Sequence, residues 1–257
     1  MKRTALLMVA VGCLVALAGC SGAISDVGDT TTDDATTDDV EYPAGVSEND
    51  TNVSALTAAH DRQLENRSFT LEVNSTVNAS TGNQTITMTA AVGPDRDQVL
   101  VNGSARNQQV SAYMTDEKRY TRLTVGDREP QYRVTERTPD QMQLFSGSFA
   151  GTTYLDRFAA EANFTPTDVR TVDGTTLIVL EADGSNATDT ERANVTDYEA
   201  TLLVDEDGVV HSATVDVSAA RDGQQIRTRF SMNVSAIGET TVEEPDWLDE
   251  AKNETSD

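Results

Sequence analysis

The sequence contains almost no cysteine: Cys13 and Cys20 are the only two in 257 residues. Both lie within the first twenty residues, so the rest of the chain has no thiol for a disulfide, for nucleophilic catalysis or for a metal site. Histidine is equally scarce, with His60 and His211 alone. Phosphate-binding loops, dinucleotide fingerprints and the HExxH zinc motif are also missing. These absences predict a protein that is not an enzyme and that holds no cofactor and no metal.

Positive charge is short as well. The chain has 19 Lys and Arg residues against 43 Asp and Glu residues, which gives a formal net charge of −24. Because like charges repel, this balance excludes nucleic acid and anionic membrane surfaces as natural partners. It also destabilises the folded chain through self-repulsion, which molar salt relieves by shortening the Debye length to ~3 Å. The composition therefore predicts a halophilic exported protein.

No apolar run is long enough for a transmembrane helix, which needs about 20 residues. The longest begins after Lys2 and Arg3 and extends over residues 5–17, followed by small residues. A basic start, a short apolar stretch and small residues are the layout of a signal peptide, here residues 1–19.

The end of the apolar run reads "LAGC" and resembles the lipobox of prokaryotic lipoproteins. The resemblance implies cleavage before Cys20, whose thiol then carries a lipid, and two acyl chains suffice for stable anchoring. Cleavage before Cys13 and an uncleaved anchor are the two alternatives. The expected location is the cell membrane, with the lipid-anchored protein facing the extracellular side.

Asparagine occurs almost entirely in Asn-x-Ser/Thr triplets. Twelve of the thirteen asparagines have Ser or Thr two places later without an intervening proline, whereas chance predicts about three. Such acceptor triplets matter only in an exported chain. The predicted N-glycosylation sites are Asn49, Asn52, Asn66, Asn74, Asn78, Asn83, Asn102, Asn163, Asn186, Asn194, Asn233 and Asn253.

The composition divides the chain that follows the signal peptide into three parts. Residues 20–48 are rich in Asp and Thr and have almost no apolar periodicity, which predicts a disordered tether behind the lipid anchor. Residues 49–250 are long enough for a single domain with a core. A helical insertion is expected over about 139–163. Residues 251–257 are expected to form a disordered tail.

Hydrophobic periodicity predicts the elements of this domain. The stretch 52–66 carries an apolar helical stripe, and Asn52 is placed to cap it. From Phe69 the period changes to two, with apolar side chains alternating with polar ones that include Asn74 and Asn78. Several such segments are separated by Asp-Gly and similar turns, which indicates antiparallel strands with one packed face and one wet face. The sequons fall on the wet face.

The order of these elements resembles the LolA/LppX group of lipid- and lipoprotein-carrier folds. The similarity rests on a leading helix, a long meander that includes "QVLVNGSARNQQVSAYMTDEKRYTRLTVG", a helical insertion and a closing meander. The tether and the segments "EYPAGVSE" and "NRSFTLEVN" also resemble halophilic-archaeal lipoproteins that carry a domain of unknown function. The resemblance implies an α+β fold: a large antiparallel, strongly curved sheet, an unclosed β-barrel with helices on its concave face.

Few residues suggest chemistry. His60 and His211 are able to meet if the first helix packs on the sheet, and two imidazoles can bind metal, but satisfied core histidines are the simpler interpretation. Ser148 in "FSGSFAG" lacks the glycine that a nucleophile elbow requires. Four aromatic side chains form either the lid of a pocket or plain core: Phe145, Phe149, Tyr154 and Phe158.

Together these features favour a membrane-anchored, glycosylated lipoprotein whose domain binds a lipid or another apolar ligand without catalysis. The alternative is a structural or sensory envelope lipoprotein that contacts other surface proteins. A hydrolase that uses Ser148, His211 or an acidic pair is a third and weaker hypothesis, because no catalytic signature supports it.

Overall fold

The computed structural model describes residues 40–80, 82–137, 149–159, 162–183, 194–221 and 224–254. Thirteen strands and three helices lie in these ranges. In chain order they are β1 Val46–Ser47, β2 Asp50–Thr51, α1 Val53–Gln63, β3 Phe69–Ala79, β4 Gly82–Val92, β5 Val99–Ala105, β6 Gln108–Met114, β7 Lys118–Val125, β8 Gln131–Glu136, α2 Thr152–Phe158, β9 Thr165–Val172, β10 Thr175–Asp183, β11 Asn194–Asp205, β12 Val210–Arg221, β13 Gln224–Ser235 and α3 Leu248–Glu254.

Eleven strands form one antiparallel sheet in the order β8-β7-β6-β5-β4-β3-β13-β12-β11-β10-β9. The first and the last of these strands are edges, so the sheet is not closed. Laid flat it would be about 48 Å wide, three times the length of the 11-residue helix α1. Yet Met114 on β6 and Leu180 on β10 belong to one hydrophobic core, so the sheet must curve strongly. This is the α+β architecture that the LolA/LppX resemblance implies.

Alternation of side chains gives the sheet its two faces. On β13, Phe230, Met232 and Val234 are buried, while the residues between them are more exposed. They pair in register with β3, where Val73 lies opposite Met232. Register partners share a face, so the buried rows continue from strand to strand. We call the face that carries Phe230 the concave face, and the opposite one the convex face.

Helices α1 and α2 contact each other and cover the concave face. Helix α1 begins as the sequence predicts, because the Oδ1 atom of Asn52 accepts a hydrogen bond from the Ala55 amide at 3.0 Å. Helix α2 begins after Gly151, whose φ of +85° is a conformation that side chains rarely adopt. A Cβ at Gly151 would lie 2.5 Å from the sulfur of Met232. Glycine therefore allows α2 to lie directly on the sheet.

The packed body begins before residue 49. Strands β1 and β2 form a minimal hairpin in which Val46 is buried, and Val40 and Tyr42 pack against the core. Residues 40–48, which the sequence analysis assigned to the tether, thus belong to the folded body.

The chain after β13 crosses the convex face, and we call residues 236–254 the C-terminal strap. The hydroxyls of Thr240 in the strap and Thr70 on β3 are 3.0 Å apart. Trp247 and Leu248 pack against Tyr113 on the convex face, and α3 contacts β7 and β8. Helix α3 is an addition to the expected fold: it lies on the face opposite α1 and α2, and it continues to Glu254 through residues assigned to the tail.

Candidate functional site

The concave face changes character on either side of helix α2. Beneath α1 its apolar side chains are fully buried, as at Phe69 and Leu71. Beyond α2 they remain half-buried on four neighbouring strands, β3, β13, β12 and β11. The register aligns them in two adjacent rows. We call this set the apolar shelf: Val77, Ala79, Val195, Val217, Ala219 and Ile226.

Aromatic rings form the boundary between the filled core and the apolar shelf. The ring of Phe230 stacks on Phe158 at 4.5 Å and on Tyr154 at 5.6 Å between centroids. Phe230 lies next to Thr228 on the concave face of β13, and Thr228 pairs with Val217 and Val77 of the shelf. Such offset ring contacts contribute about 0.5–1.5 kcal/mol beyond their buried area. Helix α2 is thereby fixed at the rim of the shelf.

Two tyrosines attach α2 to the sheet through their hydroxyls. Tyr198 on β11 donates to the carbonyl oxygen of Phe158 at 2.7 Å, and Tyr154 donates to the sulfur of Met88 at 3.8 Å. Burial raises the pKa of Tyr198 to about 12 and also raises the pKa of Tyr154. Both phenols stay neutral near pH 7, and the guanidinium of Arg157 lies 5.5 Å from the centroid of the Phe158 ring on the same helix.

His60 is a satisfied core histidine. Its Nε2–H donates to the Ala150 carbonyl at 2.7 Å, and its Nδ1 accepts from the Val210 amide at 3.0 Å. One neutral imidazole thus joins α1, the start of α2 and β12. Burial is the main cause that lowers the pKa of His60 to about 4, so the ring is uncharged near neutral pH.

His211 does not lie on the inward face of β12 with Ala213, so it does not meet His60 as the packing of the first helix on the sheet would allow. On β11 the neighbours Leu203 and Val204 pair with Ser212 and Val210, so His211 is the extra residue of a β-bulge. The bulge places Val210 inward instead, with its side chain fully buried.

The side chain of His211 is bound to a carboxylate. Its Nε2–H donates to the Oδ2 atom of Asp205 at 2.8 Å. Burial raises the pKa of Asp205, but the hydrogen bonds from His211 and from the Val209 amide outweigh burial and hold the pKa below its usual value. No hydroxyl among the described residues hydrogen-bonds to His211, so the pair lacks a nucleophile.

Other predicted site residues have mixed outcomes. Phe149 is buried in the core, and Tyr154 and Phe158 form the rim described above. Phe145, Ser148 and Cys20 lie outside the described residues. Within the described ranges, no three His, Cys, Asp or Glu side chains are grouped to hold a metal ion. In the same part of the chain, none of the helices has the length and apolar character needed to cross a membrane.

The predicted glycosylation sites are accessible where the structure describes their side chains. Asn74 and Asn78 are half-buried. Asn186 lies outside the described residues, and the side chain of Asn194 is not described. Modification needs this accessibility but is not implied by it, so glycosylation stays a prediction. The exposed sites are Asn49, Asn52, Asn66, Asn83, Asn102, Asn163, Asn233 and Asn253.

Sequence reasoning missed several residues of this site. Tyr198, Met88 and Phe230 all contact α2, but only their positions on the inward side of strands were visible beforehand. The alternation "YEATLLV" signals an inward Tyr198. It contains nothing that identifies the helix above that tyrosine.

Fold and site together define an open, helix-covered antiparallel sheet with an apolar concave face and no catalytic constellation among the described residues. The chain belongs to the family described as "Family of unknown function (DUF7537)", whose profile matches residues 4–251. No curated protein matches the sequence.

Solved structures share the architecture loosely. The chain is similar to a DUF1329 family protein from Desulfovibrio piger, with 11% identity and a TM-score of 0.26 over 77% of this chain and 96% of that one. It is also similar to the Pseudomonas aeruginosa MucA/MucB complex, with 15% identity and a TM-score of 0.28 over 77% and 60% of the chains. It is similar as well to MucB in complex with MucA(peri), with 16% identity and a TM-score of 0.26 over 76% of this chain and 57% of that one. The chain thus spans less than two thirds of these two last chains, and TM-scores this low carry no information on function.

Proposed function

We propose that this protein is a lipid-anchored, glycosylated module on the extracellular side of a halophile's cell membrane that binds an apolar chain without catalysis. The lipid on Cys20 holds it to the bilayer, and the Asp/Thr-rich tether sets the folded body away from the surface. The ligand lies on the concave face of the sheet, between the apolar shelf and helix α2.

The apolar shelf is the observation that supports this proposal. Val77 and Val217 flank Thr228 in one row, and Ile226 lies in the adjacent row; all of them remain half-buried, whereas the row beneath α2 that contains Phe230 is buried. Apolar surface exposed to water costs about 25 cal/mol per Å², so a lipid chain that covers it gains that free energy. On the adjoining wall, Tyr154 and Tyr198 keep their protons, so their hydroxyls add no charge beside the shelf.

Extraction of the full-length protein with organic solvent tests the ligand. Mass spectrometry should identify a non-covalent lipid in the extract, in an amount comparable with the protein. Val217→Glu places a carboxylate on the shelf and should abolish lipid binding, so that no lipid is extracted. Thr214→Glu is the matched control, since Thr214 is an exposed residue of the same strand on the convex face, and it should leave the lipid unchanged.

The anchor needs a separate measurement. Mass spectrometry of the mature N-terminal peptide should recover Cys20 with a thioether-linked lipid, and Cys20→Ser should move the protein from the membrane to the medium. An intact leader with an unmodified Cys20 would contradict the membrane part of the proposal. It would leave the lipid extraction valid as a test of the shelf.

A scaffold that binds other surface proteins is the second candidate. The fully buried side chains of the core, such as Leu64, Phe69 and Met232, favour it because they leave that part of the domain filled. A wild-type protein that yields no lipid, with Val217→Glu and Thr214→Glu equally stable, would support the scaffold and reject lipid binding.

A further inference from the structure

A polar groove lies on the convex face, away from the apolar shelf. Its volume is about 420 Å³, within the range of about 300–1,000 Å³ that small-ligand sites occupy. Its floor is formed by β4, β5, β6 and β7, and Trp247 of the C-terminal strap lines it as well. We call it the convex groove.

Two rows of polar side chains cross the floor of the convex groove. The register aligns Thr87, Ser104, Gln109 and Thr124 in one row. The second row consists of Thr89, Asn102, Ser111 and Arg122. With strands about 4.8 Å apart, each row extends over about 14 Å. The floor is a flat lattice of hydroxyl and amide groups.

Two internal hydrogen bonds hold parts of this lattice in place. The hydroxyls of Thr87 and Ser104 are 2.8 Å apart, and Ser111 donates to the Oδ1 atom of Asn102 at 2.7 Å. Thr89, Gln109 and Thr124 make no side-chain hydrogen bond to any described residue. The groove therefore offers both fixed and unused donors and acceptors, which suits a ligand that carries many hydroxyls.

Arg122 and Trp247 add charge and an aromatic ring. Arg122 is the only charged residue among those that line the groove. It is half-buried, and its Nε atom is buried without a partner among the described residues. A buried, unpaired N–H is costly, so a ligand oxygen that accepts from it gains affinity. Trp247 is buried, with 8% of its surface exposed, and its ring centroid lies 6.3 Å from that of Tyr132, so only a small part of the indole lines the groove.

We propose that the convex groove binds a saccharide, with an acidic sugar residue placed against Arg122. Sugar hydroxyls match the rows of Thr, Ser, Asn and Gln side chains, and a ligand in the groove lies close enough to Trp247 to change the surroundings of its indole. The saccharide has two possible sources. It is either a free or partner-borne glycan, or the glycan attached to this chain at Asn102, because Asn102, Gly103 and Ser104 form a sequon that itself lines the groove.

Trp247 is the only tryptophan of the protein, so its fluorescence reports directly on the groove. Titration of the full-length protein with trigalacturonate should change this emission at a lower concentration than titration with neutral maltotriose. Arg122→Gln should lower the affinity for trigalacturonate roughly tenfold, because a charge-assisted hydrogen bond is lost. The preference for trigalacturonate over maltotriose should then disappear. Thr89→Val should lower the affinity for both saccharides roughly threefold, because one hydrogen-bonding hydroxyl is lost.

Matched controls are Arg170→Gln and Thr214→Val, which change an exposed arginine and an exposed threonine outside the groove. Both should bind as the wild type does. The proposal is overturned if neither saccharide changes Trp247 emission in any glycosylation state of the protein. It is also overturned if Arg122→Gln and Thr89→Val bind both saccharides like the two controls.

The source of the saccharide is decided with protein from the native host and its Asn102→Gln variant. An attached glycan should appear by mass spectrometry on the Asn102 peptide, and added saccharide should then bind only to Asn102→Gln. A free or partner-borne glycan should bind wild type and Asn102→Gln alike. Either result supports a saccharide site, and neither depends on lipid binding at the apolar shelf.

Discussion

The two faces of the same sheet differ in almost every chemical respect. On the concave face, β13 presents Phe230 and Met232, which are 2% and 0% exposed. On the convex face, Arg227 and Arg229 of the same strand bind the carboxylate of Asp216 at 2.7 and 2.6 Å. The hydrogen bonds from these arginines lower the pKa of Asp216. A strand thus separates apolar packing from charge within one peptide unit.

This difference assigns different roles to the two faces. Buried apolar area supplies most of the folding free energy, whereas exposed ion pairs contribute about 0–1 kcal/mol. The concave face, with its buried apolar rows, therefore supplies most of the stability. Outside the apolar cluster of Tyr113, Trp247 and Leu248, the convex face is free to vary in charge and in acceptor sites for glycans, because little stability depends on that part of it.

The comparison is tested most severely at Phe230. Phe230→Ala removes a buried ring that stacks on Tyr154 and Phe158, and we expect the free energy of unfolding to fall by about 3–5 kcal/mol. Urea denaturation followed by circular dichroism measures this. Ser231→Ala, one residue further on the convex face, should cost less than about 1 kcal/mol. Equal losses for the two variants would show that the faces do not differ in stability.

Acid should reveal the buried imidazole of the concave side. Burial lowers the pKa of His60 from 6.5 to about 4, so between these values the unfolded chain binds a proton that the folded chain does not. The contribution of the neutral His60 to the free energy of unfolding is therefore complete above pH 6.5, and it is lost as the pH falls toward 4. The loss amounts to about 3 kcal/mol.

Carboxylates also titrate in this window, so the measurement is a difference between two proteins. Urea denaturation of the wild type and of His60→Gln should be compared from pH 7 to pH 4. Glutamine keeps a donor and an acceptor but does not titrate, so its stability should fall less steeply. Parallel curves would mean that His60 is not held neutral by its surroundings.

One residue at the start of α1 combines a role in stability with a predicted role in glycosylation. Asn52 caps the helix and is also the first residue of a predicted glycosylation site. Asn52→Ala should cost about 1 kcal/mol because the Ala55 amide loses its acceptor, while Asn52→Asp should retain the stability. Both variants remove the sequon. Equal destabilisation by Ala and Asp would attribute the effect to the glycan rather than to the cap.

Local rules explain which parts of this structure are readable from the sequence. The cap joins Asn52 to an amide three positions later, and the two faces of β3 depend on a period of two, so both are visible in the chain. The pairing of β13 with β3 joins residues about 150 positions apart. No local signal in the sequence predicts this pairing.

The errors arise where tertiary contacts override the local pattern. The bulge at His211 is stabilised by the hydrogen bond to Asp205, and the buried imidazole of His60 accepts from the amide of Val210 beside it. Neither partner is encoded in the periodicity of β12. Helix α3 was missed because seven residues are too few to form a stable helix by themselves, and packing of Trp247 and Leu248 on Tyr113 stabilises it.

The smallest expected effect lies at Asn233, where one step along β13 crosses from face to face. Asn233 is exposed and Val234 is 3% exposed. Asn233→Gln removes a sequon without touching the core, so the free energy of unfolding of the unglycosylated protein should change by less than about 0.5 kcal/mol. Val234→Ala, the neighbouring control, should cost about 1–3 kcal/mol because it leaves a cavity. If Asn233→Gln proved as costly as Val234→Ala, the convex face could not be a surface that tolerates glycans, and alternation along β13 would no longer explain where the sequons lie.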